Sequence, residues 1–153
     1  MPEHTPLRLQ LIDRFQRILR AMPSVRAVEY DLPFDFDLPA EKMPHVWIYD
    51  FDEAYNLSDM NGQSSNTLKA LTVLSYKYTE DRERSLLRRG NGLLAELLKA
   101  VMADHTLGGL AFLVQPLRST IQDIADKSPL LGALGVEWEI QYYMPLSNPY
   151  GQR

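Results

Sequence analysis

The segment ELLKAVMADHTLGGLAFLV, residues 96–114, is the most informative about the fold, because it joins the end of a helix, a turn and a strand. Apolar residues recur at spacings of three and four before Asp104, and an apolar run follows Gly109. A chain that reverses from helix to strand within a few residues needs a left-handed backbone, which glycine adopts without steric cost. The stretch therefore predicts a structural turn built on Asp104, Gly108 and Gly109, with a positive φ at one of the two glycines.

The helix that ends in this turn extends far upstream. Thr79 is its predicted N-cap, and Glu80 and Asp81 place negative charge in the first turn. Gly90 and Gly92 interrupt the apolar stripe, at a cost of up to ~1 kcal/mol each relative to alanine, and predict a bend or a close approach to the sheet. The stripe consists of Leu86, Leu87, Leu93, Leu94, Leu97, Leu98, Val101 and Met102. Another amphipathic helix, the first in chain order, is predicted between Pro6 and Pro23.

Five further segments have the composition and alternation of strands. They are residues 24–30, 45–51, 67–78, 110–116 and 135–144. In the last segment Val136, Trp138, Ile140 and Tyr142 share one face. The pattern predicts an α+β fold, with a single mostly antiparallel sheet of about five strands and two helices packed on one face. Residues 1–153 form one domain in this interpretation, with a mobile loop at residues 52–66 and a frayed C-terminal tail.

Composition excludes several classes of protein. The chain has 153 residues, a mass of 17.6 kDa and a formal net charge of -4, with 45% hydrophobic and 24% charged residues. These values are typical of one globular domain, and the acidic total argues against a general nucleic-acid binder. Because cysteine is absent, disulfides and thiolate metal sites are excluded. The sequence predicts neither a signal peptide nor a membrane span, and therefore synthesis in the cytoplasm.

Two acidic clusters are the first candidates for chemistry. Their members are Asp31, Asp35, Asp37 and Glu41 in one segment, and Asp50, Asp52 and Glu53 in the next. Hard cations prefer such oxygen ligands, so a metal-dependent hydrolase is one interpretation and a solvated acidic loop is the other. The histidines lack zinc-site spacing, and no serine lies in a nucleophile elbow. We therefore predict no enzyme, and no catalytic, cofactor-binding or metal-binding residue.

Four arginines, Arg82, Arg84, Arg88 and Arg89, lie along the predicted start of the second helix. One interpretation is a solvated face with local ion pairs. The other is a surface that binds acids of a neighbouring copy, because head-to-tail assembly lets every copy offer both surfaces. We therefore predict that Arg84 and Arg88 face Asp50, Asp52 or Glu53 of a neighbour.

The turn segment resembles a known family. The D-x-T-L-G-G element of the tail terminators of long-tailed phages, also called tail completion or minor tail protein U-like proteins, matches Asp104, Thr106, Leu107, Gly108 and Gly109. The family's closing strand is similar to residues 136–143, and its opening helix and first strand are similar to residues 7–28. The proline- and acid-rich segment 31–44 has no counterpart in the family pattern.

The resemblance implies a structural protein of the virion tail that is assembled in the host cytoplasm. It implies a ring of six copies that caps the head-proximal end of the tail tube, stops its polymerisation and provides the head-joining surface. The partners would be further copies of the chain, the tail tube protein and the head–tail connector protein. DNA would pass through the lumen without specific binding, and an acidic lumen would repel its phosphates. A host adaptor domain on the same scaffold is an alternative.

Overall fold

The computed structural model describes residues 5–33, 38–57, 62–124 and 130–150. Within them the chain forms two α-helices, five β-strands and one short 3-10 helix. In chain order the elements are α1 (Leu7–Arg20), β1 (Ala27–Tyr30), the 3-10 helix (Ala40–Lys42), β2 (His45–Asn56), β3 (Gln63–Lys77), α2 (Leu86–Met102), β4 (Leu113–Asp123) and β5 (Leu131–Pro145). Neither described helix has the length and apolar character needed to span a membrane.

The strands form one sheet in the order β1-β2-β3-β5-β4. β1 runs parallel to β2, and the other three neighbouring pairs are antiparallel. This architecture confirms the predicted α+β class with a mostly antiparallel sheet. A parallel pair needs a long connection that returns to the starting end of the sheet, and residues 31–44 supply this connection between β1 and β2.

Both helices contribute to one apolar core on a single face of the sheet. Both α-helices and all five strands provide buried side chains to this core: Leu11, Val28, Val46, Leu68, Leu97, Val114 and Trp138 are examples. The rings of Phe15 and Trp138 meet edge to face at 5.5 Å. The predicted inward face of the last strand is confirmed, because Val136, Trp138, Ile140 and Tyr142 are all buried.

The loop predicted at residues 52–66 is wrong, because most of this segment is strand. β2 continues to Asn56 and β3 begins at Gln63, and the two form a long antiparallel hairpin. The sequence hides these strands because the buried positions here are polar: Ser64 and Asn66 are fully buried. The expected apolar alternation is therefore absent. Residues 58–61 and the predicted C-terminal tail, residues 151–153, lie outside the described residues.

The predicted N-cap at Thr79 is also wrong, because α2 begins at Leu86. Local hydrogen bonds hold the preceding residues in turns instead. The Asp81 N–H donates to Thr79 Oγ1 at 3.3 Å, and the Glu83 N–H donates to Asp81 Oδ1 at 3.2 Å. Short polar side chains of this kind compete with helical hydrogen bonds. As a result Arg84 precedes the helix.

Candidate assembly surface

The turn between α2 and β4 is held by its own side chains. Asp104 Oδ1 accepts the N–H of Gly108 at 2.9 Å, and Thr106 Oγ1 accepts that of Gly109 at 3.3 Å. The expected positive φ is present at both glycines, 69° and 87°, and also at Leu107, 49°. Leu107 is fully buried in the core, so its burial offsets the cost of this conformation.

The turn is also tied to the first helix. Arg14 of α1 forms an ion pair with Asp104, with 3.2 Å between Nε and Oδ2. A Cβ atom at Gly108 would lie 3.1 Å from the same Arg14 Nε. One carboxylate thus caps the turn with one oxygen and holds α1 with the other, which explains why the motif contains an acid at this position.

Gly108→Val should destabilise the fold by roughly 1–3 kcal/mol, because a branched side chain is strained at positive φ and would crowd Arg14. The measurement is urea unfolding followed by circular dichroism. Gly92→Ala is the matched control: Gly92 is helical with open space around its Cβ position, so alanine should stabilise by up to ~1 kcal/mol. A Gly108→Val protein as stable as the wild type would show that the turn tolerates other conformations.

Directly after the turn, several apolar side chains are exposed at one end of the molecule. We name this the apolar end surface; it consists of Leu110, Phe112, Tyr143, Leu146 and Tyr150. Phe112 is 64% exposed, and its ring meets that of Tyr143 at 6.2 Å. Four of the five, all except Leu146, line one open cavity of about 450 Å³. A concentration of exposed apolar side chains on a folded domain is typical of a binding surface.

Three segments that are distant in the sequence support this surface. The Leu7 N–H at the start of α1 donates to Pro149 O at 2.8 Å, and Gln10 Nε2 donates to Tyr150 O at 3.1 Å. The Leu146 N–H donates to Gly62 O, beside the β2–β3 hairpin, at 3.0 Å. These bonds fix the C-terminal segment against α1 and the hairpin, so the surface is formed before any partner binds.

A network of charged and polar groups, named here the Arg8 network, lies under the start of α1. Arg8 Nε is 2.5 Å from Asp50 Oδ2, and Arg8 Nη1 is 2.9 Å from Glu53 Oε2. The hydroxyl of Tyr30 donates to Asp50 Oδ1 at 2.5 Å, and that of Tyr142 donates to Glu53 Oε1 at 2.5 Å. Asn66 Nδ2 also donates to Glu53, at 2.8 Å. The network fastens α1 to the middle of the hairpin.

Burial and the two carboxylates shift the pKa values of their partners. Burial, and then the hydrogen bonds to Asp50 and Glu53, raise the pKa of Tyr30 and of Tyr142 above the ordinary value. Partial burial opposes the charge of Arg8, but the hydrogen bonds and charges of the two acids outweigh it and raise its pKa. The arginine therefore remains a permanent cation at this position.

We expect the protein to lose stability above pH 10. Tyr76 is buried and donates to Leu86 O at 2.8 Å, and burial raises its pKa to about 12. Above pH 10 the unfolded chain loses this proton while the folded chain keeps it. Folding stability therefore falls by roughly 1.4 kcal/mol per pH unit for each such tyrosine until the folded pKa is reached. Between pH 10 and 12, the unfolding free energy of Tyr76→Phe should therefore fall less steeply with pH than that of the wild type. Tyr55→Phe, at an exposed site, is the control and should leave this pH dependence as it is in the wild type. Equal slopes for the wild type and Tyr76→Phe would contradict this.

The predicted interface residues are not equally available. Asp50 and Glu53 are engaged inside the chain by Arg8, and the side chain of Glu53 is only 4% exposed. These two therefore cannot serve as exposed acids for a neighbour, because the Arg8 network already uses them. Asp52 is exposed, as are Arg84 and Arg88, and Arg88 lies 3.9 Å from Glu83 at the surface. The predicted contact remains a prediction for Arg84, Arg88 and Asp52.

The acidic clusters are not assembled into a metal site in the part of the chain that the structure describes. No three histidine, aspartate or glutamate side chains converge there. Asp31 and Glu41 are exposed, whereas Asp35 and Asp37 lie outside the described residues. The hydrolase alternative would therefore need residues that the described part does not bring together.

The sequence did not single out the apolar end surface or Arg8. Phe112 and Tyr143 belong to strand-like runs in which an exposed aromatic residue is indistinguishable from a core residue. A weak signal existed for Tyr143: it follows Tyr142 directly, and neighbouring residues of a strand face opposite sides, so one of the two had to point away from the core.

Comparison with known proteins finds structures of similar shape. No protein-family model matches the chain, and no curated protein matches it. The sheath/tube terminator of an extracellular contractile injection system, PVC, in its extended state has 15% identity and a TM-score of 0.45 over 89% of this chain. A chain of the virion of a native gene transfer agent particle has 9% identity and a TM-score of 0.38; the alignment covers 90% of this chain and 92% of that one.

The chain spans about half the length of the sheath/tube terminator, 56%. Fold similarity at this level carries no functional argument by itself, so function must be inferred from the residues of this chain.

Proposed function

We propose that the chain is a phage tail terminator. It assembles with further copies of itself into a ring, most simply of six, that caps the head-proximal end of the tail tube. The ring stops tube polymerisation and offers the surface that the head–tail connector protein meets. DNA passes through its lumen without specific binding. The protein works by contact rather than catalysis and resides in the tail of the virion.

The observation that carries this proposal is the apolar end surface. Part of it adjoins the motif that resembles the terminators, since Leu110 and Phe112 lie within three residues of Gly109. Hydrogen bonds of the C-terminal segment to α1 and to Gly62 hold this part of the surface in place, so little conformational entropy is lost when a partner binds. We assign this surface to the contact with the tube.

The proposal is tested with purified tail tube protein that polymerises alone. Adding the chain should stop growth, and light scattering should show a species several times heavier than 17.6 kDa. Phe112→Asp with Tyr143→Asp should abolish capping while circular dichroism is unchanged. Leu87→Asp with Met102→Asp is the matched control, because these are also exposed apolar residues but lie on α2. If the wild-type chain stays at 17.6 kDa and tubes grow unhindered, the proposal is wrong.

One contact within the ring follows from the charges. Arg84 and Arg88 of one copy pair with Asp52 of the next, as rim contacts that contribute roughly 0–1 kcal/mol each. Arg84→Glu with Arg88→Glu should then weaken assembly, and Asp52→Arg should restore part of it. Because exposed pairs are screened by salt, this contribution should fade as ionic strength rises. Normal assembly of the double variant at low salt would exclude this contact.

A further inference from the structure

The two edges of the sheet carry hydrogen-bonding groups that no described strand uses. β1 lies at one edge and β4 at the other. β1 is parallel to β2, and each of the three following pairs reverses direction, so β4 runs opposite to β1. A rotation about an axis along the strands keeps strand directions. It would therefore bring β1 of one copy antiparallel to β4 of the next.

The directions of the backbone groups in the two edges are compatible. The Asp31 N–H donates to Ile48 O of β2 in the register of the β1–β2 ladder, so by alternation Val28 and Tyr30 direct their backbone groups outward from β1. The Arg26 N–H, just before β1, is out of this register and donates to Pro44 O at 2.9 Å. The Ile124 N–H donates to Leu131 O of β5, so Ser119 and Ile121 direct theirs outward from β4.

The side chains of these outward residues also agree. Val28 belongs to the core on the helix-covered face, and Ile121 packs against the same core. Tyr30 likewise packs against that core from β1. An antiparallel pair requires opposite residues to share one face and to point their backbone groups at each other. Both conditions are met by the two free edges.

The residue pairing across the sheet shows which residues of β1 and β4 lie at the same height along the strands. Val28 is in one row with Val46, Leu74, Leu134 and Ile121. Tyr30 is in one row with Ile48, Thr72, Val136 and Ser119. Copies at equal height would thus align all four residues of β1 with residues 119–122. These are the residues of β4 that follow its irregularity between Pro116 and Arg118.

The charges that flank this alignment are complementary. In this register Arg26, which precedes β1, would lie opposite Asp123. Asp31, which follows β1, would lie opposite Arg118. All four residues are exposed, and Asp123 also accepts the Tyr78 hydroxyl at 2.6 Å. The same register therefore satisfies backbone direction, side-chain face and charge at both ends.

We infer that the ring closes by antiparallel pairing of β1 with β4 of a second copy of this chain, in the register Val28 to Ile121 and Tyr30 to Ser119. This inference deepens the proposed function and rests on it, since it names the edge contact of the same ring. Each copy uses one edge on either side, so the contact is head-to-tail and leaves no free edge once the ring closes.

Disulfide trapping tests the register, and the absence of native cysteine makes the result unambiguous. Ala27 and Gln122 form a non-hydrogen-bonded pair in this register, with Cα atoms at about 4.5 Å, a separation that a disulfide can bridge. Mild oxidation of Ala27→Cys with Gln122→Cys should give a ladder of covalent multimers on a non-reducing gel. Ala27→Cys with Thr120→Cys, two residues out of register, is the control and should give little.

A second test exchanges the charges. Arg26→Asp should weaken ring formation measured by light scattering, and adding Asp123→Arg should restore it. Arg17→Asp, at an exposed position of α1, should have no effect. The edge contact and the rim contact are alternatives in a ring of copies at equal height, because Asp52 is level with Lys69 whereas Leu86, beside Arg84 and Arg88, accepts the Tyr76 hydroxyl seven residues further along β3. If the edge contact closes the ring, Arg84→Glu with Arg88→Glu should leave both assembly and the disulfide ladder intact.

The outcomes distinguish the two proposals. If light scattering finds a ring but the Ala27–Gln122 variant does not cross-link, or the Ala27–Thr120 variant cross-links equally, the edge contact is wrong and the terminator function stands. If the chain remains a monomer even with the tube, the function fails and the edge contact fails with it. Circular dichroism of each variant excludes misfolding as the cause.

Discussion

Leu97→Ala is expected to lower the free energy of unfolding by about 2–5 kcal/mol, the range for removal of a buried leucine side chain with incomplete relaxation. Leu97 is 1% exposed and belongs to the core cluster that contains side chains of both helices and all five strands. A cavity at this point removes contacts from several elements at once. For a domain of this size such a loss is a large part of the total stability.

The measurement is equilibrium urea unfolding, and the matched control is Leu87→Ala. Leu87 lies on the same helix and is 59% exposed, so its loss should change stability by less than about 0.5 kcal/mol. Because helix propensity changes identically in the two variants, their difference isolates burial. A loss below half a kcal/mol at Leu97 would mean that the apolar face of α2 is assigned wrongly.

Arg8→Met is expected to destabilise the protein by roughly 2–4 kcal/mol, although Met retains much of the apolar stem. The change leaves the buried carboxylates of Asp50 and Glu53 without their cation, and breaking a buried pair from one side is costly. Arg8 is itself one third exposed, so solvent screens part of the effect. Hydrogen exchange should also accelerate in the β2–β3 hairpin, whose middle the network fastens to α1.

Arg17→Met is the control for Arg8→Met, since it removes an exposed arginine from the same helix. Combining Arg8→Met with Asp50→Asn and Glu53→Gln should recover part of the stability, because no buried charge then remains unpaired. If Arg8→Met is as stable as Arg17→Met, the network contributes nothing and the hairpin must be held by backbone pairing alone.

Local patterns predicted most of the elements because those elements bury one face. The stripe that contains Leu93 and Leu97 defines α2, and the alternation around Trp138 defines β5. The predictions of element boundaries fail where polar side chains interrupt the apolar pattern. The hairpin end is hidden because Asn66 occupies a core-facing position, and the start of α2 is displaced because Asp81 and Thr79 favour turns.

Of the candidate assembly surface, the sequence predicted only the turn between α2 and β4. Asp104, Gly108 and Gly109 carry a local signal, because the conformation they need depends on residues within one turn of chain. The availability of Asp50 and Glu53 depends instead on Arg8, more than forty positions away, and no local pattern reports such a partner. The same limit applies to the apolar end surface, which the C-terminal segment and the turn form together.

Local sequence is enough to predict the class of fold, the inward face of each clearly alternating strand and the reversal at the glycine turn, because periodicity and backbone sterics act over a few residues. Tertiary structure alone decided which acids are free, which aromatic residues are exposed and which strands lie at the edges. These properties depend on the strand order and on pairs of residues far apart in the chain. The complementary charges at the two edges acquire meaning only when the sheet places Arg26 and Asp123 at the same level.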